Sequence, residues 1–232
     1  MDIYINNLLF TYFPHIALAV FFFGLITRFI LVNKTIQAES TQFLADKKVK
    51  LGSNLFHIGI IFVFFGHLTL FIPEWLYHMV MTTETKRIIA LSMGSFFGLM
   101  ALVGMIILVL RRFSDPRIKT NSSFQDYFII ILLLVEVLLG LSAVAGTATG
   151  PIEKYAALSE WAQAVVTFQP DAGEILLYHS IQYKLHIITG LFIFMIFPYT
   201  KLMHMIVLPY VYLFRSGYQL VRKRSKGSIE VQ

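Results

Sequence analysis

Among its 232 residues the chain has no cysteine, and only 14% are Asp, Glu, Lys or Arg. The first absence excludes disulfides, Fe–S clusters held by this chain, covalent c-type haem attachment and cysteine-based zinc sites. Any metal chemistry must then rest on His, carboxylate or Met. The second absence sets the chain apart from soluble domains, in which about a quarter of residues are charged. There is no internal repeat and no low-complexity segment. The N-terminus, MDIYINN, lacks a basic n-region, and the apolar run after it is too long for a signal peptide, so the first span is expected to stay in the mature protein. A net charge of +6 is no nucleic-acid signal, because the bases are confined to particular loops.

What is present is apolar: 57% hydrophobic and 15% aromatic residues, with 22 Phe and 11 Tyr. Such a composition suits lipid-facing surface and interfacial belts. A spanning helix needs about 20 mostly apolar residues, and five stretches qualify: Leu8 to Val32, Gly52 to Ile72, Ile88 to Leu110, Phe124 to Ala145, and Tyr178 to about Phe214. The fold class expected is therefore all-α, an integral membrane bundle of five helices. The last stretch exceeds a bilayer's need, and Pro198, Lys201 and Pro209 predict that its final turns are kinked or interfacial. Residues 1–232 read as one membrane-embedded domain, with 215–232 a short basic tail.

Basic residues predict the orientation. The loop Asn33–Leu51 carries Lys34, Lys47, Lys48 and Lys50, and the loop after the third span carries Arg111, Arg112, Arg117 and Lys119. The tail adds Arg215, Arg222, Lys223, Arg224 and Lys226, whereas the opposite side has Lys86, Arg87 and Lys154 alone. The N-terminus is thus expected outside and the C-terminus in the cytoplasm. The longest outer connection, Thr147–Leu177, has an apolar middle, SEWAQAVVTF, suited to a short interfacial helix.

Four histidines fall within these spans. His57 and His67 lie in NLFHIGIIFVFFGHLTL, and His186 and His204 in YKLHIITGLFIFMIFPYTKLMHMIVLP. An imidazole in a lipid-spanning segment is costly unless it binds something, and two on each of two helices suit two haems, each between two imidazoles. The second span runs inside to outside and the fifth outside to inside. Antiparallel helices therefore pair His57 with His204 and His67 with His186, at two depths. The spacing is unequal: ten residues, ~15 Å, on one helix against eighteen, ~27 Å if straight, on the other. A tilt or a kink at Pro198 must absorb the difference. The plainer reading is four interhelical hydrogen-bonding histidines. Met203 and Met205 flank His204 but suit packing better than ligation.

Other residues carry weaker signals. His15, His78 and His179 suit interfacial positions or quinone contact. Gly52, Gly59, Gly66 and Gly190 suit either a planar macrocycle near the backbone or close helix packing. Glu136 is the one acid deep in a span, with hydrogen bonding or a proton path as its options.

The segments SNLFHIGI…GH, WAQAVVTF, LH…FP…KL.H and YQLVR resemble the gamma subunit of respiratory nitrate reductase, a membrane cytochrome b, over essentially the whole chain. The resemblance implies that His57 and His204 ligate a cytoplasm-side haem b, and His67 and His186 an outer one. It implies quinol oxidation near the outer haem, with Lys86 and Gly66 at the quinol site. Arg111 and Arg112 would meet haem propionates, or simply fix topology. Electrons would pass to an Fe–S beta subunit and a molybdenum-containing alpha subunit that reduces nitrate on the cytoplasmic side of a bacterial or archaeal inner membrane. It gives Glu136 no role. Alternatives are the cytochrome b of a formate dehydrogenase, hydrogenase or heterodisulfide-type reductase, a proton-coupled transporter, or a structural anchor.

Overall fold

The computed structural model describes residues 3–32 and 47–206, and among these every regular element is helical. The order is α1 (Ile3–Asn7), a π-helical turn (Leu8–Tyr12), α2 (Phe13–Val32), α3 (Lys47–Leu68), α4 (Glu74–Tyr77), α5 (Thr83–Ser114), α6 (Pro116–Thr120), α7 (Phe124–Thr149), α8 (Ile152–Val166) and α9 (Ile181–Ile196). Five stretches are long and apolar enough to cross a membrane: Ile3–Leu31, Lys50–Phe71, Thr83–Ser114, Phe124–Thr149 and Ile181–Tyr199. All five expected spans are there: the first four have bounds within a few residues of those expected, and the fifth, expected to about Phe214, ends at Tyr199, with residues 207–214 outside the described residues. The loop lysine Lys34, Pro209 and the basic tail from Arg215 lie outside the described residues.

Packed neighbours run α3, α5, α7, α9, α2. Small residues let α3 and α5 come closest. A Cβ added to Gly59 would sit 2.6 Å from the Ala101 nitrogen, and one added to Gly104 would press on the Phe56 nitrogen. Gly52 likewise faces Ile107. Two of the glycines near the histidines are therefore spent on backbone approach, the usual device where lipid removes any hydrophobic drive for association. Large side chains such as Phe23, Phe65 and Phe96 are exposed on the outside of the bundle, where acyl chains are the solvent.

Proline shapes both end spans. Pro14 has no N–H to give the Phe10 carbonyl one turn back. The Trp161 indole N–H of α8 supplies the missing bond at 2.8 Å, and the chain passes this point in a π-helical turn. Pro198 stops α9: residues Phe197–Tyr199 tighten into a 3₁₀ turn, Thr200 is extended, and a second 3₁₀ segment, Lys201–Met205, follows. The kink expected at Pro198 is thus a full break, and the chain beyond it no longer advances as a straight helix would.

The interfacial helix expected in the long outer connection is α8. It lies across one end of the bundle and fastens there. Gln163 Nε2 donates to the carbonyls of Leu70 and Ile72, both at 3.1 Å. Arg87 Nη2 caps the end of α7 through the carbonyls of Thr147, Ala148 and Gly150. At the opposite end Asp126 of α7 binds Lys201 at 2.9 Å and Arg112 at 3.7 Å.

Gly59→Leu forces a branched side chain against the Ala101 backbone. It should cost about 1–3 kcal/mol, the usual cost of overpacking, read as a lower melting temperature of the detergent-solubilised protein and less folded chain in the membrane.

Candidate functional site

α3 and α9 run antiparallel and face each other through imidazole rings. The His57 and His204 ring centroids are 6.1 Å apart, and those of His67 and His186 are 5.8 Å apart. The four histidines are thus brought together in the pairing expected from their order along the chain. α3 is unbroken through both of its histidines, so the two pairs sit about ten residues, ~15 Å, apart along it. The break at Pro198 reconciles the unequal spacing, because the His57–His204 pair is completed from the 3₁₀ segment rather than from α9.

Three of the four imidazoles have one nitrogen held by a hydrogen bond. His57 Nδ1 lies 2.7 Å from the Ser53 carbonyl, His67 Nδ1 2.8 Å from that of Val63, and His204 Nδ1 2.5 Å from that of Lys201. A carbonyl only accepts, so in these three rings Nδ1 carries the proton and Nε2 keeps its lone pair. That is the tautomer and orientation of a metal-ligating histidine whose outer nitrogen is fixed by a second partner. His186 differs. Its Nδ1 lies 3.0 Å from Glu136 Oε1 of α7, a close contact that lacks hydrogen-bond alignment.

The opposed pairs fit one metal each. Nitrogen binds such metals at about 2 Å, so two imidazoles on one iron hold their centroids roughly 6 Å apart, the separations seen here. Among the described residues no three His, Cys, Asp or Glu gather to cage a bare ion; the histidines come in twos, as a planar macrocycle with two axial positions requires. A Cβ added to Gly66, next to His67, would meet nothing within 4 Å, so space remains open beside the upper pair.

Around the pairs lie the other singled-out residues. Lys86, 7% exposed, points Nζ at Ser159 Oγ (3.4 Å) and over the Tyr77 ring at 4.1 Å, so its contacts are with α8 and α4. Arg112 donates to Ser122 Oγ at 3.0 Å and reaches Asp126, while Arg111 also ends α5. Gly190 faces the Glu136 carboxylate, so its missing side chain makes room for an acid.

The three remaining histidines are structural in their contacts. His15 has Nδ1 2.6 Å from the Thr11 carbonyl and Nε2 2.9 Å from that of Val165, and stacks on Phe168. His78 contacts Thr83 and Glu74. His179, 8% exposed, donates from Nε2 to the Lys154 carbonyl at 3.0 Å. Sequence reading passed over one polar cluster entirely. Lys184, 4% exposed, donates to Asn6 Oδ1 and the Leu177 carbonyl, and Asn6 in turn donates to Gly173. Two polar side chains so far apart in sequence carry no periodic signal.

Residues 6–224 match the family model described as nitrate reductase gamma subunit. The chain is 35% identical over 223 residues to the respiratory nitrate reductase 2 gamma chain of Escherichia coli K12, covering 95% of this chain and 98% of that one. It is also 35% identical to the respiratory nitrate reductase 1 gamma chain of the same organism, covering 95% and 99%. A third relative, the nitrate reductase gamma chain of Bacillus subtilis 168, is 35% identical over 217 residues, 91% of this chain and 96% of its own.

Burial holds the His179 imidazole below its ordinary value, with Lys154 and Lys184 adding repulsion against the Lys154 carbonyl's opposite pull. A group charged more readily in the unfolded chain destabilises the fold as it titrates. His179 should therefore leave stability unaffected above about pH 6.5 and lower it as pH falls further. Thermal melts across pH 7.5 to 5.5 should show this fall, reduced in His179→Gln.

Proposed function

The chain belongs to the nitrate reductase gamma subunit family, and on that premise we propose that it holds two b haems and oxidises quinol for a nitrate-reducing complex. His57 and His204 hold one haem and His67 and His186 the other, each through Nε2. The observation that carries this reading is the two facing imidazole pairs, with Nδ1 of His57, His67 and His204 occupied and Nε2 left over. Haem, when bound, supplies one-electron redox chemistry, tuned by its axial ligands and their surroundings.

The residues of the chain supply the rest. Nδ1 contacts orient each ring and keep its proton away from the iron-facing nitrogen. Apolar side chains exclude water from the slot between α3 and the α9 segment. Positive-inside asymmetry places the α8 end outside and the His57 pair near the cytoplasm. At the α8 end Lys86 holds a buried ammonium against Ser159 and the Tyr77 ring, and the quinol site is proposed to join it with the open side of Gly66. There it donates a hydrogen bond to a quinol oxygen, favouring the charge that develops as a proton departs outward. Each quinol gives up two electrons and two protons; the electrons move inward toward cytoplasmic Fe–S and molybdenum subunits. Arg111 and Arg112 meet propionates of the lower haem, and the basic loops dock the soluble subunits. The membrane is the cytoplasmic membrane of a bacterium or archaeon.

Haem-to-protein ratio in purified complex tests the ligation. Wild type should give two, and each single His→Ala variant one. His57→Ala and His204→Ala should lose the same haem by optical spectrum, and His67→Ala and His186→Ala the other. A colourless, folded preparation, or loss of one haem from both His57→Ala and His186→Ala, would overturn the assignment.

Lys86→Ala should leave both haems in place and slow quinol oxidation by about tenfold or more, the loss expected when a charged hydrogen bond is removed. Stopped-flow haem reduction by a quinol analogue measures it.

A further inference from the structure

Glu136 stands apart from every other acid in the chain. It lies mid-way along α7, a span, at a depth where a carboxylate is costly unless something compensates it. Its Oε1 is 3.0 Å from His186 Nδ1, a close contact short of hydrogen-bond alignment, and Glu136 Oε2 and His186 Nδ1 are both buried with no hydrogen-bond partner among the described residues. Two glycines clear the place for this contact. A Cβ on Gly140, one turn along α7, would stand 3.1 Å from His186 Cε1, and a Cβ on Gly190 2.9 Å from Glu136 Oε1. One face of α7 is thus a seat for the ring, and a gap in α9 is a seat for the acid.

The partner makes His186 unlike its three counterparts. Those present Nδ1 to a neutral backbone carbonyl of their own helix. Only His186 presents it to a side-chain carboxyl from a different helix. A carboxylate on the outer nitrogen makes an imidazole a stronger donor to its metal. Stronger donation favours ferric over ferrous iron, and so lowers the reduction potential. The positive iron, reached through the ring, is also the counter-charge that an orphaned carboxylate at this depth requires.

We propose that Glu136 is a positioning residue which, through Nδ1 of His186, fixes that ring and lowers the potential of the outer haem alone. The inference rests on the proposed ligation by His67 and His186. Gly190 belongs to the same device, since any side chain there drives Oε1 from the imidazole.

The test is a redox titration of the intact complex, each haem followed by its own optical and low-spin EPR signals, in Glu136→Gln and Gly190→Ala. Glu136→Gln should shift the outer haem's reduction equilibrium by roughly tenfold or more, 59 mV for one electron, toward higher potential, with the inner haem unmoved. Gly190→Ala, which keeps both groups but separates them, should give a smaller shift of the same sign and an altered EPR line for the outer haem only. An unmoved outer potential in both variants overturns the proposal, and so does an equal shift in both haems, the signature of a diffuse charge. Where Glu136→Gln fails to retain the outer haem, Gly190→Ala decides alone. Wild-type complex without two haems would instead refute the ligation itself, a separate result.

Discussion

Everything in this molecule answers to one constraint: in lipid a polar atom has no water to fall back on, so each must find its partner within the chain or bind something from outside. Most find one within. The indole of Trp161 serves the carbonyl that Pro14 leaves open, Arg87 gathers three carbonyls at the end of α7, and Lys184 is taken up by Asn6 and Leu177. Against that thrift the Nε2 atoms of the four membrane histidines stand out. In His57, His67 and His204 the neighbouring nitrogen is occupied, the rings oppose each other at two levels, and among the described residues no hydrogen bond uses the remaining lone pairs.

The packing serves the same end by another route. Glycine and alanine bring α3 and α5 into backbone contact, and α5, α7 and α9 continue the row. α3 meets α9 and the 3₁₀ segment after it through imidazoles instead. Close approach on one side of α3 therefore leaves its other side free to hold a group between helices. The two ends of this arrangement are fastened differently: by hydrogen bonds from α8 at one, and by the Asp126 ion pairs with Lys201 and Arg112 at the other.

Much of this was legible in the sequence. Hydrophobic runs long enough to span a bilayer identify themselves, and four histidines in complementary order on antiparallel spans predict their own pairing. The break at Pro198 was foreshadowed by proline and by the unequal histidine spacing together. Illegible were the contacts made by single polar residues remote in sequence. Glu136 belongs to an apolar helix with nothing beside it to mark a partner, and His186 lies fifty residues away. Gly190 gave an ambiguous signal because a missing side chain does not say what fills its place. Asn6 of α1, Lys184 of α9 and Gly173 of the 3₁₀ segment Ala172–Leu176 are remote in sequence and meet only in the folded chain.

The interruption at Pro198 has one more consequence. On α3 two histidines ten residues apart, and on the facing segment two histidines eighteen apart, can match only because the second strip of chain shortens itself past the proline. Spacing and interruption form a single measure, like a ruler folded once. Homologous chains that straighten this segment must also bring their last histidine nearer in sequence, and chains that keep eighteen must keep the fold in the ruler.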